Sequence, residues 1–293
     1  MSAPLTSPAE RVARPDAALT FTVRGLGFWA PGYPDLAAWL ARPDACRDEQ
    51  TIPTEPAAPK AELLPPMMRR RTSLLTRMAA DVAAQALRAG GLDPARATLI
   101  YGSVYGEIRT TLDLLAALLV PGEPLSPTKF HNSVHNTAAG YVSIATGSRA
   151  GNAALSAGRS TVAMGLLECA ALVAAGEGDA VLVVAEEALP EPLAAGRRWG
   201  PFAAAFALSP APSGSPAEAA PRATSNMSPV TCRLVHGPTD SASARPVPAW
   251  LAANPCAAAL ALVDALAAPA PGRRVALEPH QELGWRCELE AAG

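Results

Sequence analysis

Lysine is nearly missing from this chain of 293 residues: Lys60 and Lys129 are the only two among 24 cationic side chains. Against 26 acidic residues the formal net charge is −2 and the pI is near 6.1. No broad basic field exists, which argues against nucleic acid as a partner. The arginine bias, with the abundance of Ala and Pro, reads as genome composition rather than function. Long apolar runs are missing too, so no transmembrane helix is predicted. The opening residues, MSAPLTSPAERVARPDAAL, lack the charged segment and apolar core of a signal peptide, and a cytoplasmic chain without membrane insertion is expected. Cys46, Cys169, Cys232, Cys256 and Cys287 are odd in number, scattered and without a CxxC pair. That spacing argues against a disulfide framework and against structural zinc.

What remains is a chain that is 49% hydrophobic and long enough for one large domain or two small ones. Residues 1–17, rich in Pro and Ala, are expected to be a disordered tail. Residues 21–28 alternate as a strand does, 34–40 form a short helix candidate opened by proline, and 42–60 read as loop. A helix is predicted from Pro65-Pro66 to the stop at Gly90-Gly91, with Leu74, Leu75, Met78, Ala79, Val82, Ala83 and Leu87 on one buried face. A strand over 98–105 and an amphipathic helix over 107–119 follow. Residues 152–156, 158–175 and 179–185 read as strand, helix and continuous apolar strand, a crossover unit. After a strand at 202–208, residues 209–247 read as a flexible Pro/Ser/Ala-rich insertion. A helix over 250–266 and a strand region over 274–290, within a closing segment 248–293, complete the domain begun at residue 18. Alternating strand and helix predict a layered α/β fold with a mixed, partly parallel sheet flanked by helices.

The crossover is where a family resemblance becomes specific. The segment Asn136-Thr-Ala-Ala-Gly-Tyr-Val-Ser-Ile is similar to the "NMAAGHVSI" type segment of β-ketoacyl synthases. Val23-Arg-Gly-Leu-Gly resembles their first strand, residues 70–87 their "MDR…AA..AL" helix, and Gly176-Glu-Gly-Asp-Ala-Val-Leu-Val-Val the strand after their nucleophile helix. Over residues 20–208 the chain resembles the ketosynthase-like N-terminal domain family, including chain-length-factor-type proteins of aryl polyene and related pigment clusters. The fold implied is a truncated thiolase-like one, the ketosynthase N-terminal half.

The resemblance also exposes what is absent. Condensing enzymes carry a Thr-Ala-Cys-Ser-like turn at the helix start, where an anionic nucleophile is favoured by the helix dipole. Here the turn runs Ser156-Ala157-Gly158-Arg159-Ser160. Counting back from Asp179 puts Arg159 at the cysteine position, and a slip of two residues puts Ala157 there; neither forms a thioester. The paired C-terminal histidine segments of ketosynthases are unmatched as well, since His236 and His280 stand in other contexts. The resemblance therefore implies a non-catalytic subunit without cofactor or metal, pairing with an active ketosynthase and possibly docking an acyl carrier protein. Ser133, His135, Asn136, Thr137 and Tyr141 are the candidates for lining the partner's acyl tunnel, and Arg69, Arg70 and Arg71 those for carrier docking. Two alternatives stay open: an acyl-transferring or decarboxylating enzyme with a nonstandard site residue, and a freestanding carrier-protein-binding module.

Blander readings compete at several positions. Cys169 lies ten residues beyond Arg159, about 15 Å along a helix, and reads as a buried small hydrophobe. His131 and His135 are spaced like zinc ligands but lack a third; His135 and Asn136 could equally serve backbone groups at a helix start. The arginine triplet could equally be a solvated face. Gly25-Leu-Gly27 matches a dinucleotide fingerprint by letters only, because Pro31 and Pro34 break the helix it needs. Ser103 directly follows Gly102, so no nucleophile elbow is formed.

Overall fold

In a computed structural model of the chain, residues 18–55, 58–211, 227–239 and 245–290 are described. Eight strands form one mixed sheet: β1 (Leu19–Trp29), β2 (Thr98–Gly102), β3 (Asn152–Leu155), β4 (Ala180–Glu186), β5 (Phe202–Pro210), β6 (Val230–Pro238), β7 (Arg274–Ala276) and β8 (Leu283–Leu289). Their order is β3-β2-β4-β5-β1-β6-β8-β7. β2 lies parallel to β3 and β4, and the remaining pairs are antiparallel. The mixed layered architecture expected from the sequence is present.

The helices are α1 (Leu36–Leu40), α2 (Pro66–Arg69), α3 (Leu74–Gly90), α4 (Ile108–Leu118), α5 (Pro127–Asn132), α6 (Thr137–Thr146), α7 (Thr161–Ala174), α8 (Glu191–Ala194), α9 (Ala249–Ala252) and α10 (Ala258–Ala267). α3 and α6 share one apolar core with a face of the sheet, and α7 and α10 share a second core with the other face. α3 starts where Ser73 Oγ accepts the Thr76 N–H, and stops at Gly91, whose φ of 62° suits glycine. Its seat on the sheet is built from small residues: Gly25 and Gly27 of β1, with Ala203, Ala205 and Ala207 of β5. The two glycines that mimic a dinucleotide fingerprint are thus strand positions over which helix backbone passes. On the other face Val162, Leu166, Cys169, Ala170 and Val173 of α7 are buried, and every residue of β4 is buried, as their periodicities predict.

Three boundaries differ from the sequence reading. The single helix expected after Pro65 is two, because Ser73 caps a new helix after a break at residues 70–73. The arginine triplet accordingly ends α2 and crosses a connection instead of opening a long helix. The expected insertion at 209–247 contains β6, in which Val230, Cys232 and Leu234 point into the core while Thr231 and Arg233 alternate outward. Residues 212–226 and 240–244 of that stretch, like the expected tail at 1–17, lie outside the described residues. The final helix is broken into α9 and α10 around Asn254-Pro255, where Asn254 donates to Gly200 O (3.0 Å) and accepts from the Cys256 N–H (3.0 Å).

Candidate functional site

β3, α7 and β4 form the expected crossover, with β2 lying between the two strands. Parallel strands bring their C-terminal ends to one edge of the sheet. The turn at 156–160, the segment after Gly102 and the pair Glu186-Glu187 therefore gather at that end.

Within the turn, Ala157, Gly158 and Arg159 are all exposed. Ser156 Oγ donates to Val104 O (3.0 Å), Thr161 Oγ1 donates to Gly158 O (2.7 Å), and the Ala157 N–H donates to Thr161 Oγ1 (3.0 Å). Gly158 takes a φ of 56°, the left-handed conformation that favours glycine. Ser160 occupies the N-cap of α7 without capping it. Its hydroxyl instead donates to Glu278, a buried carboxylate from the loop before β8. Glu278 also accepts from Gln281 Nε2 (3.0 Å) and from the Trp285 N–H (2.9 Å). A carboxylate of the chain itself thus stands at the positive end of α7. Sequence reasoning missed Glu278, which lies 118 residues from Ser160. Cys169 is fully buried and burial pushes its thiol far up, away from a thiolate.

Below the turn lies a second polar group. Glu107 accepts from Ser73 Oγ and Thr76 Oγ1, both at 2.7 Å, and Glu186 accepts the Val104 N–H at 2.6 Å and Ser103 Oγ at 3.2 Å. Glu187 pairs with Arg109 (3.2 Å). One oxygen of Glu186, one of Glu187 and the Tyr101 hydroxyl are buried without a hydrogen-bond partner. Desolvation raises Glu186 and Glu187 from 4.5 to about 7, and raises Glu107 as well. Between those values the folded chain retains protons that the unfolded chain releases. Stability should therefore fall as pH rises from about 4.5 to 7, by up to about 3 kcal/mol per glutamate. Urea midpoints at pH 5 and pH 8 measure this, and Glu186→Gln together with Glu187→Gln should flatten the difference.

The tunnel candidates fall together around α5 and α6. His135 Nε2 meets Ser103 O at 2.9 Å, Ser133 Oγ donates to Phe130 O (2.8 Å), Thr137 Oγ1 donates to His131 O (3.2 Å) and Tyr141 Oη donates to Asn132 Oδ1 (2.9 Å). Asn136 sits at the N-cap of α6 but its side chain makes no capping bond, so of the pair His135 and Asn136 it is His135 that serves a backbone group. Of the arginine triplet, Arg69 is held on Lys60 O (2.7 Å), while Arg70 and Arg71 are exposed. Arg71 and Tyr141 line one open cavity of about 360 Å³ with Pro65, Met67 and Met68. One docking candidate and one tunnel candidate thereby share a surface feature. Among the described residues, no group of three or more His, Cys, Asp or Glu is placed to hold a metal, and no helix is long and apolar enough to cross a membrane.

The surface around this site exposes large apolar side chains among its polar ones. Leu115, Leu118, Leu119, Val120, Leu125, Phe130, Val134 and Ile144 are exposed, in a run from α4 to α6. The helix predicted over 107–119 does form, yet within α4 only Leu114 is buried. β3, the edge strand, pairs with β2 alone among the described strands, and Asn152 and Ala153 are exposed.

Solved structures share this architecture. A chain from the ketosynthase (ApeO) in complex with its chain length factor (ApeC) from Xenorhabdus doucetiae is 23% identical with a TM-score of 0.61, over 92% of this chain and 99% of that one. The ishigamide ketosynthase/chain length factor gives 18% identity and a TM-score of 0.54, over 69% of this chain and 64% of that one. The type II polyketide acyl-carrier protein in complex with its ketosynthase, AntDE:AntF, gives 16% and 0.53, over 65% and 62%. This chain spans nearly all of the first and less than two thirds of the other two. At such identities the likeness shows the fold, which is the thiolase-like ketosynthase fold. No curated protein sequence matches the chain. Residues 39–266 match the β-ketoacyl synthase N-terminal domain, and with the sheet order and crossover above, the chain belongs to the β-ketoacyl synthase N-terminal domain family.

Proposed function

We propose that this chain is a non-catalytic ketosynthase-fold subunit of the chain-length-factor type, which pairs in the cytoplasm with an active β-ketoacyl synthase. The observation that carries the reading is the set of exposed apolar side chains between Leu115 and Ile144, together with β3, which pairs on one side only among the described residues. Large exposed apolar side chains in such number mark a protein interface, and an open sheet edge is a template for another strand. The turn supports a silent role, since it offers Arg159 in place of a thiol and is tied down by Glu278. In this reading Ser133, His135, Asn136, Thr137 and Tyr141 close the far end of the partner's acyl tunnel. Chain length in a fatty-acid, polyketide or aryl polyene-like product is then set by bulk on α6, because a full pocket admits no further unit. Exposed Arg70 and Arg71 are placed to meet an acidic acyl carrier protein.

Leu118 and Leu119 are 61% and 83% exposed, so Leu118→Asp/Leu119→Asp should leave folding intact. Co-expressed with a candidate catalytic ketosynthase, this variant should lose co-purification with it, while the unsubstituted chain retains it. Equal retention of both would contradict the reading.

The contact between Ser160 and Glu278 favours one competing reading, an acyl-transferring enzyme that uses the serine next to the cysteine position as its nucleophile. Intact-mass measurement after exposure to acyl and malonyl thioesters separates the two. An adduct on Ser160 supports the enzyme, and an unmodified chain supports the silent subunit.

A further inference from the structure

We infer that the β3 edge selects against a second copy of this chain and in favour of a ketosynthase-fold partner whose own edge strand is flanked by acidic side chains. The inference rests on the pairing proposed above and adds the chemistry of the partner. An apolar face and an open strand edge are adhesive but indiscriminate. Something must prevent two copies from meeting through the same surface.

Charge does this here. From residue 124 to residue 167 the sequence contains no Asp or Glu, while it contains Lys129, Arg149 and Arg159. That stretch covers α5, α6, β3 and the start of α7. Arg149 and Arg159 stand at the two ends of β3, both are exposed, and among the described residues neither enters an ion pair. Two identical surfaces meet about a two-fold axis. Antiparallel pairing of β3 with its own copy, centred on the strand, sets Asn152 of one copy opposite Leu155 of the other. The chain entering the strand at Arg149 then lies beside the turn leaving the other strand at Arg159. The symmetry repeats that meeting on both sides of the axis, and no acidic residue within the stretch relieves it. Like charges brought together at an interface suppress the wrong partner. A chain with Asp or Glu at the corresponding positions would turn both meetings into attractions.

The test needs only this chain. A charge-reversed form, Arg149→Glu/Arg159→Glu, is prepared beside the unsubstituted one and their masses are followed by analytical ultracentrifugation at micromolar concentration. Both substitutions are at exposed positions, and unchanged thermal midpoints confirm folding. Each form alone should be monomeric, and the equimolar mixture should form a one-to-one dimer at least about tenfold tighter than either self-association, weakening as salt is raised. A mixture no more dimeric than its separate components overturns the inference, as does an unsubstituted chain that self-pairs as tightly as the mixture. Failure of the proposed function itself would be seen elsewhere, as an unsubstituted chain that does not co-purify with a ketosynthase or a Leu118→Asp/Leu119→Asp variant that still does.

Discussion

Replacing Asp264 by alanine is expected to cost about 3–5 kcal/mol of folding stability. Asp264 lies on α10 with its side chain 1% exposed, as is that of its partner Arg42. The Arg42 guanidinium reaches both carboxylate oxygens, and Trp39 Nε1 donates to Oδ1 at 3.0 Å. Arg42 also stacks on the Trp39 ring at 3.6 Å and donates to Trp39 O and Pro246 O at 2.9 Å. The network ties the segment after α1 to α10, two parts of the chain 222 residues apart. Removing the carboxylate leaves a buried guanidinium without its counter-charge and an indole N–H without its acceptor. Removing both charges, as in Arg42→Met/Asp264→Leu, leaves no buried charge unpaired, although the Trp39 N–H still lacks its acceptor and the Trp39 and Pro246 carbonyls lose a donor, and should recover part of the loss. Urea unfolding of the three chains decides. A single variant that loses less than about 1 kcal/mol would place the pair in the class of surface ion pairs.

Gly27→Val should be comparably damaging, at about 3 kcal/mol or more. A Cβ at this position would stand 2.1 Å from Val82 O and 2.9 Å from the Val82 carbonyl carbon, and both are backbone atoms of α3. The helix can only lift off β1, and the contacts that seat it on the small residues of β5 go with it. α3 also begins at Ser73 and Thr76, which hold Glu107, so the displacement reaches the polar group beneath the turn. Gly140→Ala on α6 is the control. Nothing lies within 4 Å of its Cβ position, and an alanine in a helix interior should be neutral or stabilising by about 0.5–1 kcal/mol.

Legibility in the sequence followed the strength of local pattern. α3, α7 and β4 were readable because their apolar residues repeat at helical spacing or run continuously, and each is buried as that spacing requires. β6 was not, because its three inward residues, Val230, Cys232 and Leu234, sit in a stretch dominated by Pro, Ser and Ala. The break before α3 was hidden because residues 70–72 carry no Gly or Pro to mark it, and only the Ser73 cap reveals it. The turn at 156–160 was placed correctly between strand and helix, but its occupant was not. Glu278 reaches Ser160 through the sheet order, and no local signal announces a contact across 118 residues. α4 shows the converse. Its amphipathic pattern predicts a buried face, and the described residues leave Leu115 and Leu118 exposed.

The central claim is that this surface is covered by a catalytic ketosynthase. Native mass spectrometry of the chain co-expressed with a candidate catalytic β-ketoacyl synthase tests this most directly, combined with the length distribution of the acyl products. The account predicts a complex with one copy of each per pair, and products whose lengths shift when this chain is omitted. Two separate species, with product lengths unchanged by the omission, would contradict it.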